Sequence, residues 1–436
     1  MLSERLHPVL LLILILFLLF MIMGMPIAFA IGISGFVFFL QQTGLPYTIP
    51  VQLALSQTQS FVLLAIPMFV FAGNLLNETG ITDRLVKLSS VLAGHMRAGL
   101  AQVNVVLSTL MGGVTGSAIG DASMEARILG PGMNEKGYAR GFSAGITGFS
   151  SLIVTMIPPS IGLVLYGSIG EVSIGRLFMA GLVPGLLMAV SMMVAVSLTA
   201  RKRGYLPERK KASPKEMIVT FINCIWAFLF PILLIVGLRF GIFTASEAGA
   251  FAVVYALFVG VFIYRELTWE KFIRALHNTV LDVGMIMLLM ALSAIFSYGL
   301  TWDMIPQTLA QLILGISNTP WVIMLIIMVF LVVAGMFMDS TVLILLLSSI
   351  LIPVAQQLGI DLVHFGIVMV LTLTIGLLTP PVGLVMYVVS TIFECSLQDF
   401  LRESWPFLVA TLLVIILVIF VPDVVLFLPN LVFGKG

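Results

Sequence analysis

The sequence predicts an all-α polytopic membrane protein with an inverted repeat, on the basis of its composition, its apolar segments and its internal similarity. Of the 436 residues, 60% are hydrophobic and 9% are charged, and the mean hydropathy is +1.17. A soluble domain carries about 25% charged residues, so too few ionic side chains remain here to cover a water-exposed globule of this size. A soluble enzyme and a nucleic-acid-binding protein are therefore excluded.

Continuous apolar segments predict the membrane spans, because a transmembrane helix needs about 20 apolar residues. The predicted spans are 8–25, 27–42, 61–77, 181–200, 219–240, 243–264, 277–300 and 403–427. At the N-terminus, Arg5, the apolar run and the triplet Ala28-Phe29-Ala30 also imitate a cleavable secretory signal. Because the chain stays apolar to Leu40 and further spans follow, we expect a retained first helix.

Basic residues predict the orientation of the chain. The loop Arg201–Lys215 contains seven of them and is therefore expected in the cytoplasm. The other segments predicted on the cytoplasmic side all contain Lys or Arg: 82–97, 134–140 and 265–274. The segments on the opposite side contain neither: 43–60, 301–319 and 353–364. Both termini then lie on the periplasmic side.

Two interrupted apolar regions, 98–171 and 320–393, resemble each other at an offset of 222 residues. The offset joins Gly113 to Gly335, Pro131 to Pro353, Pro158 to Pro380, Pro159 to Pro381 and Pro184 to Pro406. Around the double prolines the match continues with one residue inserted. Chance matching of prolines is the alternative. The predicted orientation makes the two halves opposite in direction, and inverted repeats with a site near the bilayer midplane are typical of secondary transporters.

Each half contains a helix–tip–helix segment, Met111–Asp121 and Ala334–Thr341. Apolar arms of about 14 residues are about 20 Å long, too short to cross a hydrocarbon core of about 30 Å. We therefore predict two re-entrant hairpins. Unwound carbonyl groups at that depth, with Thr115, Ser117 and Asp121 in one tip and Asp339, Ser340 and Thr341 in the other, predict Na⁺ binding.

The alternative for Asp121 and Asp339 is a helix N-cap role. The cost of an ionisable residue at membrane depth favours ion binding.

The double prolines predict two broken helices, because successive prolines remove two N–H donors and restrict the preceding residue. The helix that follows each break presents free N–H groups and a positive dipole end, which favour a carboxylate. A simple kink is the alternative reading. Asp282 either contributes to the site or makes a polar contact in the bundle, and Glu125 and Arg127 are expected to form an internal ion pair. No nucleophile–base arrangement is present, so an enzyme is not expected.

The segments Gly113–Asp121, Ile157–Ile161 and Gly175–Gly185 resemble the large membrane (M) subunit of tripartite ATP-independent periplasmic (TRAP) transporters, over essentially the whole chain. The resemblance implies an elevator mechanism of the ion transporter superfamily, in which a scaffold supports a transport domain driven by a Na⁺ gradient. It implies two partners in the bacterial inner membrane and periplasm: a small four-helix membrane (Q) subunit and a substrate-binding protein. The implied substrate is an organic acid, either sialic acid, whose branch the Thr-Gly-Ser-x-x-x-Asp tip resembles, or a C4-dicarboxylate.

The resemblance also implies site residues. The sodium ligands would be Thr115, Gly116, Ser117, Asp121, Ser151, Gly335, Asp339, Thr341 and Thr379. The helix breaks and the first tip give the expected substrate-binding residues, which are Ser117, Ser150, Ser151, Pro158, Pro159, Ser160, Pro380 and Pro381. A self-sufficient Na⁺-coupled carboxylate carrier of the same fold is the alternative function, followed by a non-transporting membrane scaffold.

The expected organisation has seven parts. They are scaffold helices 1–80, an interfacial arm helix 81–96, a first transport repeat 97–200 (hairpin 98–133, broken helix 138–171), a cytoplasmic linker 201–218, scaffold helices 219–300, an arm 301–317 and a second transport repeat 318–427 (hairpin 320–352, broken helix 362–393).

Overall fold

The computed structural model describes residues 8–42, 44–59, 64–304, 308, 311, 315 and 319–434, and within them the chain is helical, without strands. The helices, numbered in chain order, are α1 Pro8–Ile22, α2 Ile27–Gln41, α3 Thr48–Thr58, α4 Ala65–Glu78, α5 Ile81–Ala93, α6 Gly99–Met111, α7 Ala118–Glu135, α8 Arg140–Ser151, α9 Ile161–Ile169, α10 Ile174–Arg203, α11 Pro214–Asn223, α12 Ile225–Arg239, α13 Ala245–Phe258, α14 Trp269–Trp302, α15 Pro320–Gly335, α16 Ser340–Gln357, α17 Leu362–Gly376, α18 Leu384–Ile392, α19 Leu397–Phe420 and α20 Pro422–Phe433. A 3₁₀ turn, Leu152–Thr155, follows α8, and a π-helical turn, Val259–Ile263, follows α13.

Among the described residues, five helices are individually long and apolar enough to cross a membrane: α10, α13 with its π-helical turn, α14, α16 and α19. The pair α11 and α12 makes a sixth candidate, bent by 57° at Cys224. The predicted span 219–240 is therefore not straight. The predicted span 403–427 is divided, because Pro422 begins a separate helix.

The first helix belongs to the packed bundle. The rings of Phe17 in α1 and Phe296 in α14 lie 5.6 Å apart between centroids. Gly35 in α2 approaches α14 so closely that a Cβ atom there would be 2.8 Å from the Phe296 backbone nitrogen, a contact that small residues permit. The triplet that imitates a cleavage site lies in the first turn of α2, where Ala30 is buried. The triplet is therefore part of a helix packed in the bundle.

The two similar regions form matching helices. α7 and α16 both have 18 residues and lie 222 residues apart at both ends, with Pro131 and Pro353 inside them. α9 and α18 both have nine residues and lie 223 apart. At 1.5 Å per residue, 18 residues reach about 27 Å. The second arm of each hairpin is thus longer than the sequence suggested, because the helix continues through its proline.

The offset changes from 222 to 223 between the double prolines and the next helix. The N-cap residues of α9 and α18 are Ser160 and Gly383, so the extra residue lies in the second repeat, at Val382. Matching Gly162-Leu163-Val164 to Gly383-Leu384-Val385 by letter gives the opposite, an extra residue in the first repeat. Structural equivalence therefore differs from letter matching at this point.

The two repeats exchange contacts with each other. A Cβ atom on Gly130 in α7 would lie 3.1 Å from the Phe393 ring, just after α18. A Cβ atom on Gly170, just after α9, would lie 2.7 Å from Ile352 Cδ1 in α16. Ile352 corresponds to Gly130, and Phe393 corresponds to Gly170. Such reciprocal pairs are what a two-fold relation between the halves produces.

The basic segments meet at one end of the molecule. Arg84 Nη2 lies 2.7 Å from Glu266 Oε1, which joins α5 to the loop before α14. The Glu208 N–H in the linker donates to the Gly94 carbonyl over 2.9 Å, which joins the linker to the end of α5.

The linker contacts the transport repeats at the same end. The Tyr205 hydroxyl accepts from the Ala139 N–H over 3.0 Å, and Arg203 pairs with Glu403. At the other end of α10, Arg176 Nη1 donates to the Gly434 carbonyl over 2.7 Å, so the described C-terminal residues lie away from the basic loop. The predicted arm 301–317 begins in the last turn of α14, and most of it lies outside the described residues.

Candidate functional site

The first tip, residues 112–117, is unwound backbone between α6 and α7. Ser117 is the N-cap of α7, and its Oγ accepts from the Gly120 N–H over 3.4 Å. Gly116 has a φ of +62°, a conformation that favours glycine. Among the hydrogen bonds of the described residues, none ends on the carbonyls of Gly113, Val114 or Thr115. The tip therefore presents free carbonyl oxygens.

The first break, residues 152–160, separates α8 from α9 and lies directly against the first tip. A Cβ atom on Gly116 would be 2.8 Å from the Pro159 carbonyl oxygen, and one on Gly112 would be 2.5 Å from Ile157 Cβ. Pro158, Pro159 and Ser160 are all buried. Only glycine allows tip and break to approach this closely.

The second tip, residues 336–339, is attached to the second break, residues 377–383, by backbone hydrogen bonds. The N–H groups of Val382 and Gly383 donate to the Met336 carbonyl over 3.2 and 3.1 Å. The Thr379 hydroxyl donates to the Gly376 carbonyl over 3.0 Å. Neither prolyl pair thus lies inside an uninterrupted helix. The second pair, Pro380 and Pro381, is exposed, whereas the first is buried.

The two tip aspartates do not occupy matching positions. Asp339 is the N-cap of α16, and its Oδ1 accepts from the Thr341 N–H over 2.8 Å. Its counterpart in the first repeat is Ser117. Asp121 lies in the first turn of α7, is fully buried, and has two carboxyl oxygens without a hydrogen-bond partner in the described residues. The capping geometry considered for both aspartates applies to Asp339 alone.

The predicted serines face the interior of the first repeat. The Ser150 hydroxyl donates to Asn104 Oδ1 over 2.6 Å, and the Ser151 hydroxyl donates to the Gly148 carbonyl over 2.8 Å. Asn104 in α6 also donates to the Thr147 hydroxyl over 3.2 Å. The two Asn104 bonds attach the first arm of the hairpin to α8, just before the first break.

Glu125 is a buried residue whose surroundings the sequence did not reveal. Its Oε2 accepts from the Ser108 hydroxyl over 2.8 Å, and its Oε1 has no partner in the described residues. Arg127 is exposed and makes no ion pair with it, so the expected pair of Glu125 and Arg127 is wrong. The spacing of four residues from Asp121 was the available signal, because it places both carboxylates on one helix face.

Asp282 makes a contact inside the scaffold. Its Oδ2 accepts from Asn74 Nδ2 over 3.2 Å, and the same amide donates to the Thr279 hydroxyl over 3.1 Å. These bonds join α4 to α14, next to Gly73, whose Cβ position would be 3.0 Å from the Val114 carbonyl oxygen of the first tip. Asp282 is thus the polar contact that was the alternative to a site role.

A cavity of ≈ 600 Å³ lies at the end where the basic segments meet. Arg84, Lys87, Trp226 and Tyr264 are among its lining residues, and the predicted site residues are not. The candidate site is therefore a packed junction of tips and breaks, separate from this cavity.

Unwound tips packed against broken helices, inside a bundle of apolar helices, define a multi-pass membrane transporter. The chain belongs to the family described as tripartite ATP-independent periplasmic transporter, DctM component, which it matches over residues 14–424. The predicted fold class and the resemblance to the large TRAP subunit are thereby confirmed. As a transporter permease, the chain is not an enzyme.

Two relatives support this assignment, and one solved structure shares the fold. The chain is 37% identical over 413 residues to the sialic acid TRAP transporter large permease SiaM of Vibrio cholerae, covering 95% of this chain and 96% of that protein. It is 35% identical over 373 residues to the C4-dicarboxylate TRAP transporter large permease DctM of Pseudomonas aeruginosa, covering 86% and 87%. The Alcanivorax borkumensis YdaH transporter superposes with a TM-score of 0.57 at 13% identity, covering 84% of this chain and 86% of that one, which shows similarity of fold alone.

Proposed function

We propose that this chain is the large permease of a Na⁺-coupled transporter that imports an organic acid across the bacterial inner membrane. The observation that carries the proposal is Asp121, a fully buried carboxylate without a hydrogen-bond partner in the described residues, at the start of a helix that follows an unwound tip. An ionisable residue at membrane depth is costly, and it marks an ion pathway when it has no protein partner.

The first tip supplies the other sodium ligands. Hard cations take oxygen ligands, and in transporters unwound backbone carbonyls hold the coupling ion. The carbonyls of Gly113, Val114 and Thr115 are free of hydrogen bonds from the described residues, and Asp121 adds the negative charge. At the second tip, we propose that Gly335, Asp339, Thr341 and Thr379 hold a second ion.

The substrate carboxylate binds where α9 begins. The N–H groups of Ile161 and Gly162 have no acceptor in the described residues, and Ser160 caps the same turn. A helix N-terminus with free N–H groups attracts an anion. At α18 the corresponding residues are Leu384 and Val385, and the Val385 N–H already donates to the Leu377 carbonyl over 3.0 Å. The first break is therefore the better carboxylate site, and we propose that the exposed Pro380 and Pro381 also contact the substrate.

The substrate is an organic acid of the kind that the relatives are named for, sialic acid or a C4-dicarboxylate. Both classes carry the carboxylate that the α9 terminus would bind. The two relatives are 37% and 35% identical to this chain, so overall identity favours neither class. Uptake must be measured with both.

The family name implies a tripartite system, and we propose a small four-helix subunit and a periplasmic substrate-binding protein as the partners. The loop Arg201–Lys215 is cytoplasmic and both termini are periplasmic in this proposal. The interlocked repeats move as one elevator body against a scaffold formed by α1–α4 and α12–α14. The reciprocal contacts between α7 and α18 and between α16 and α9 support a single moving body.

Reconstitution in proteoliposomes tests the function. The chain is incorporated with the small subunit, and uptake of labelled N-acetylneuraminate or succinate is followed with binding protein outside. Uptake should need an inward Na⁺ gradient and should stop when Na⁺ is replaced by K⁺. Asp121→Asn should reduce uptake at least about tenfold. Mutating a residue that only hydrogen-bonds a metal ligand already lowers affinity or activity by that factor.

Glu135→Gln is the matched control, because it neutralises a carboxylate at an exposed position of the same helix, α7. It should transport normally. Na⁺-independent uptake would contradict the proposal. Na⁺-driven uptake without binding protein would identify the self-sufficient carrier instead.

A further inference from the structure

Asp121 and Glu125 form a buried carboxylate pair inside the first hairpin. They lie four residues apart on α7, and both are 0% exposed. The Ser108 hydroxyl on α6 donates to Glu125 Oε2, so the pair faces the other arm of the hairpin. The remaining three carboxylate oxygens have no hydrogen-bond partner in the described residues.

Two ionised carboxylates cannot stay together in the protein interior without positive charge, because desolvation and mutual repulsion are both costly. No Lys, Arg or His of the described residues forms an ion pair with either group, and the nearest basic residue in sequence, Arg127, is exposed. Protonation removes this cost while the site is empty, and a bound cation is the partner that lets both groups ionise.

The fold itself does not require these polar groups. In the second repeat the positions of Asp121 and Glu125 are taken by Leu343 and Leu347. The second arm of the second hairpin nevertheless has the same length of 18 residues and the same reciprocal packing. A leucine is thus compatible with this architecture, and the polar pair in the first repeat has another purpose.

We propose that Glu125, Asp121 and Ser108 bind a Na⁺ ion between the arms of the first hairpin, in addition to the ion at the tip. Asp121 lies between the tip carbonyls and Glu125 and serves both ions. Two carboxylates then balance two monovalent cations within the first repeat. A role of this ion in transport rests on the proposed Na⁺ coupling, whereas the binding of the ion does not.

The test counts bound sodium directly. The chain purified with its small subunit is titrated with ²²Na⁺, and the ions bound per chain are measured. Glu125→Leu, which installs the residue of the second repeat, should bind one ion fewer than the unchanged protein. Glu125→Gln should also bind one ion fewer, and it serves as the second variant if Glu125→Leu does not fold. Glu135→Gln, on an exposed residue of the same helix, should bind the full number.

An equal sodium count in the folded Glu125 variants would overturn the inference, whatever the transport result. If the Glu125 variants bind fewer ions but the unchanged protein shows no Na⁺-driven uptake, this site is kept and the proposed function is rejected. If the unchanged protein shows Na⁺-driven uptake and the Glu125 variants bind as many ions as it does, this site is rejected and the function is kept.

Discussion

Gly335 at the end of α15 lies directly against Gly376 at the end of α17. A Cβ atom on Gly335 would be 3.0 Å from Gly376 Cα and 2.7 Å from the Leu373 carbonyl oxygen. Both obstacles are backbone atoms, which cannot turn away as a side chain can. The pair therefore fixes where the second tip meets the second break.

Gly335→Ala should destabilise the protein because the methyl group overpacks against backbone. Overpacking typically costs about 1–3 kcal/mol, which should appear as a lower melting temperature and weaker Na⁺-dependent stabilisation. Gly284→Ala is the control, because that glycine is in α14 with nothing within 4 Å of its Cβ position. It should raise stability by about 0.4–1 kcal/mol. Equal melting temperatures for the two variants would contradict the close approach.

Asp339 combines a capping role, which the structure displays, with a proposed ion-binding role. Asparagine caps a helix as well as aspartate does but has no charge. Asp339→Ala should lower stability by about 1 kcal/mol, whereas Asp339→Asn should not. Both variants should lose Na⁺-driven uptake in proteoliposomes. Normal uptake by the asparagine variant would show that Asp339 is only a cap.

We expect the ionisation of Glu208 to weaken the docking of the linker as pH rises. Burial raises the pKa of this carboxyl above its ordinary value of 4.5, although Lys136 and Arg209 act in the opposite direction. A raised folded-state pKa means that the folded protein binds the proton more tightly, so stability falls as pH rises from 4.5 through the folded value. Glu208→Gln is always neutral and should avoid this loss.

Melting temperatures measured from pH 4 to pH 8 check the effect. The variant and the unchanged protein should agree at the acid end, and the variant should melt higher at the alkaline end. Glu135→Gln, at an exposed position, should follow the unchanged protein throughout. A difference that is constant with pH would argue against titration of Glu208.

The sequence was sufficient to predict the two tips and the two breaks, because the glycines and prolines that form them are visible as letters at a fixed offset. It was insufficient wherever equivalence depends on backbone position. Asp121 and Asp339 looked like a matched pair, yet they differ by 218 residues and their counterparts are Leu343 and Ser117. The capping position is set by where each helix begins.

Contacts between helices were also beyond the sequence. The bond between Ser108 and Glu125 joins two arms whose packing no local pattern specifies. The bend between α11 and α12 falls at Cys224, which is neither glycine nor proline, whereas Pro231 lies inside α12 without ending it. Tertiary packing decides both features.

The meeting of the basic segments at one end of the bundle makes the proposed orientation testable. In a background with Cys224→Ser and Cys395→Ser, single cysteines are placed at exposed positions by Lys210→Cys in the linker and Gly44→Cys between α2 and α3. A membrane-impermeant maleimide should label Gly44→Cys in intact spheroplasts and Lys210→Cys only after permeabilisation, because positive loops remain in the cytoplasm. Labelling of Lys210→Cys in intact spheroplasts would reverse the orientation and place both termini in the cytoplasm.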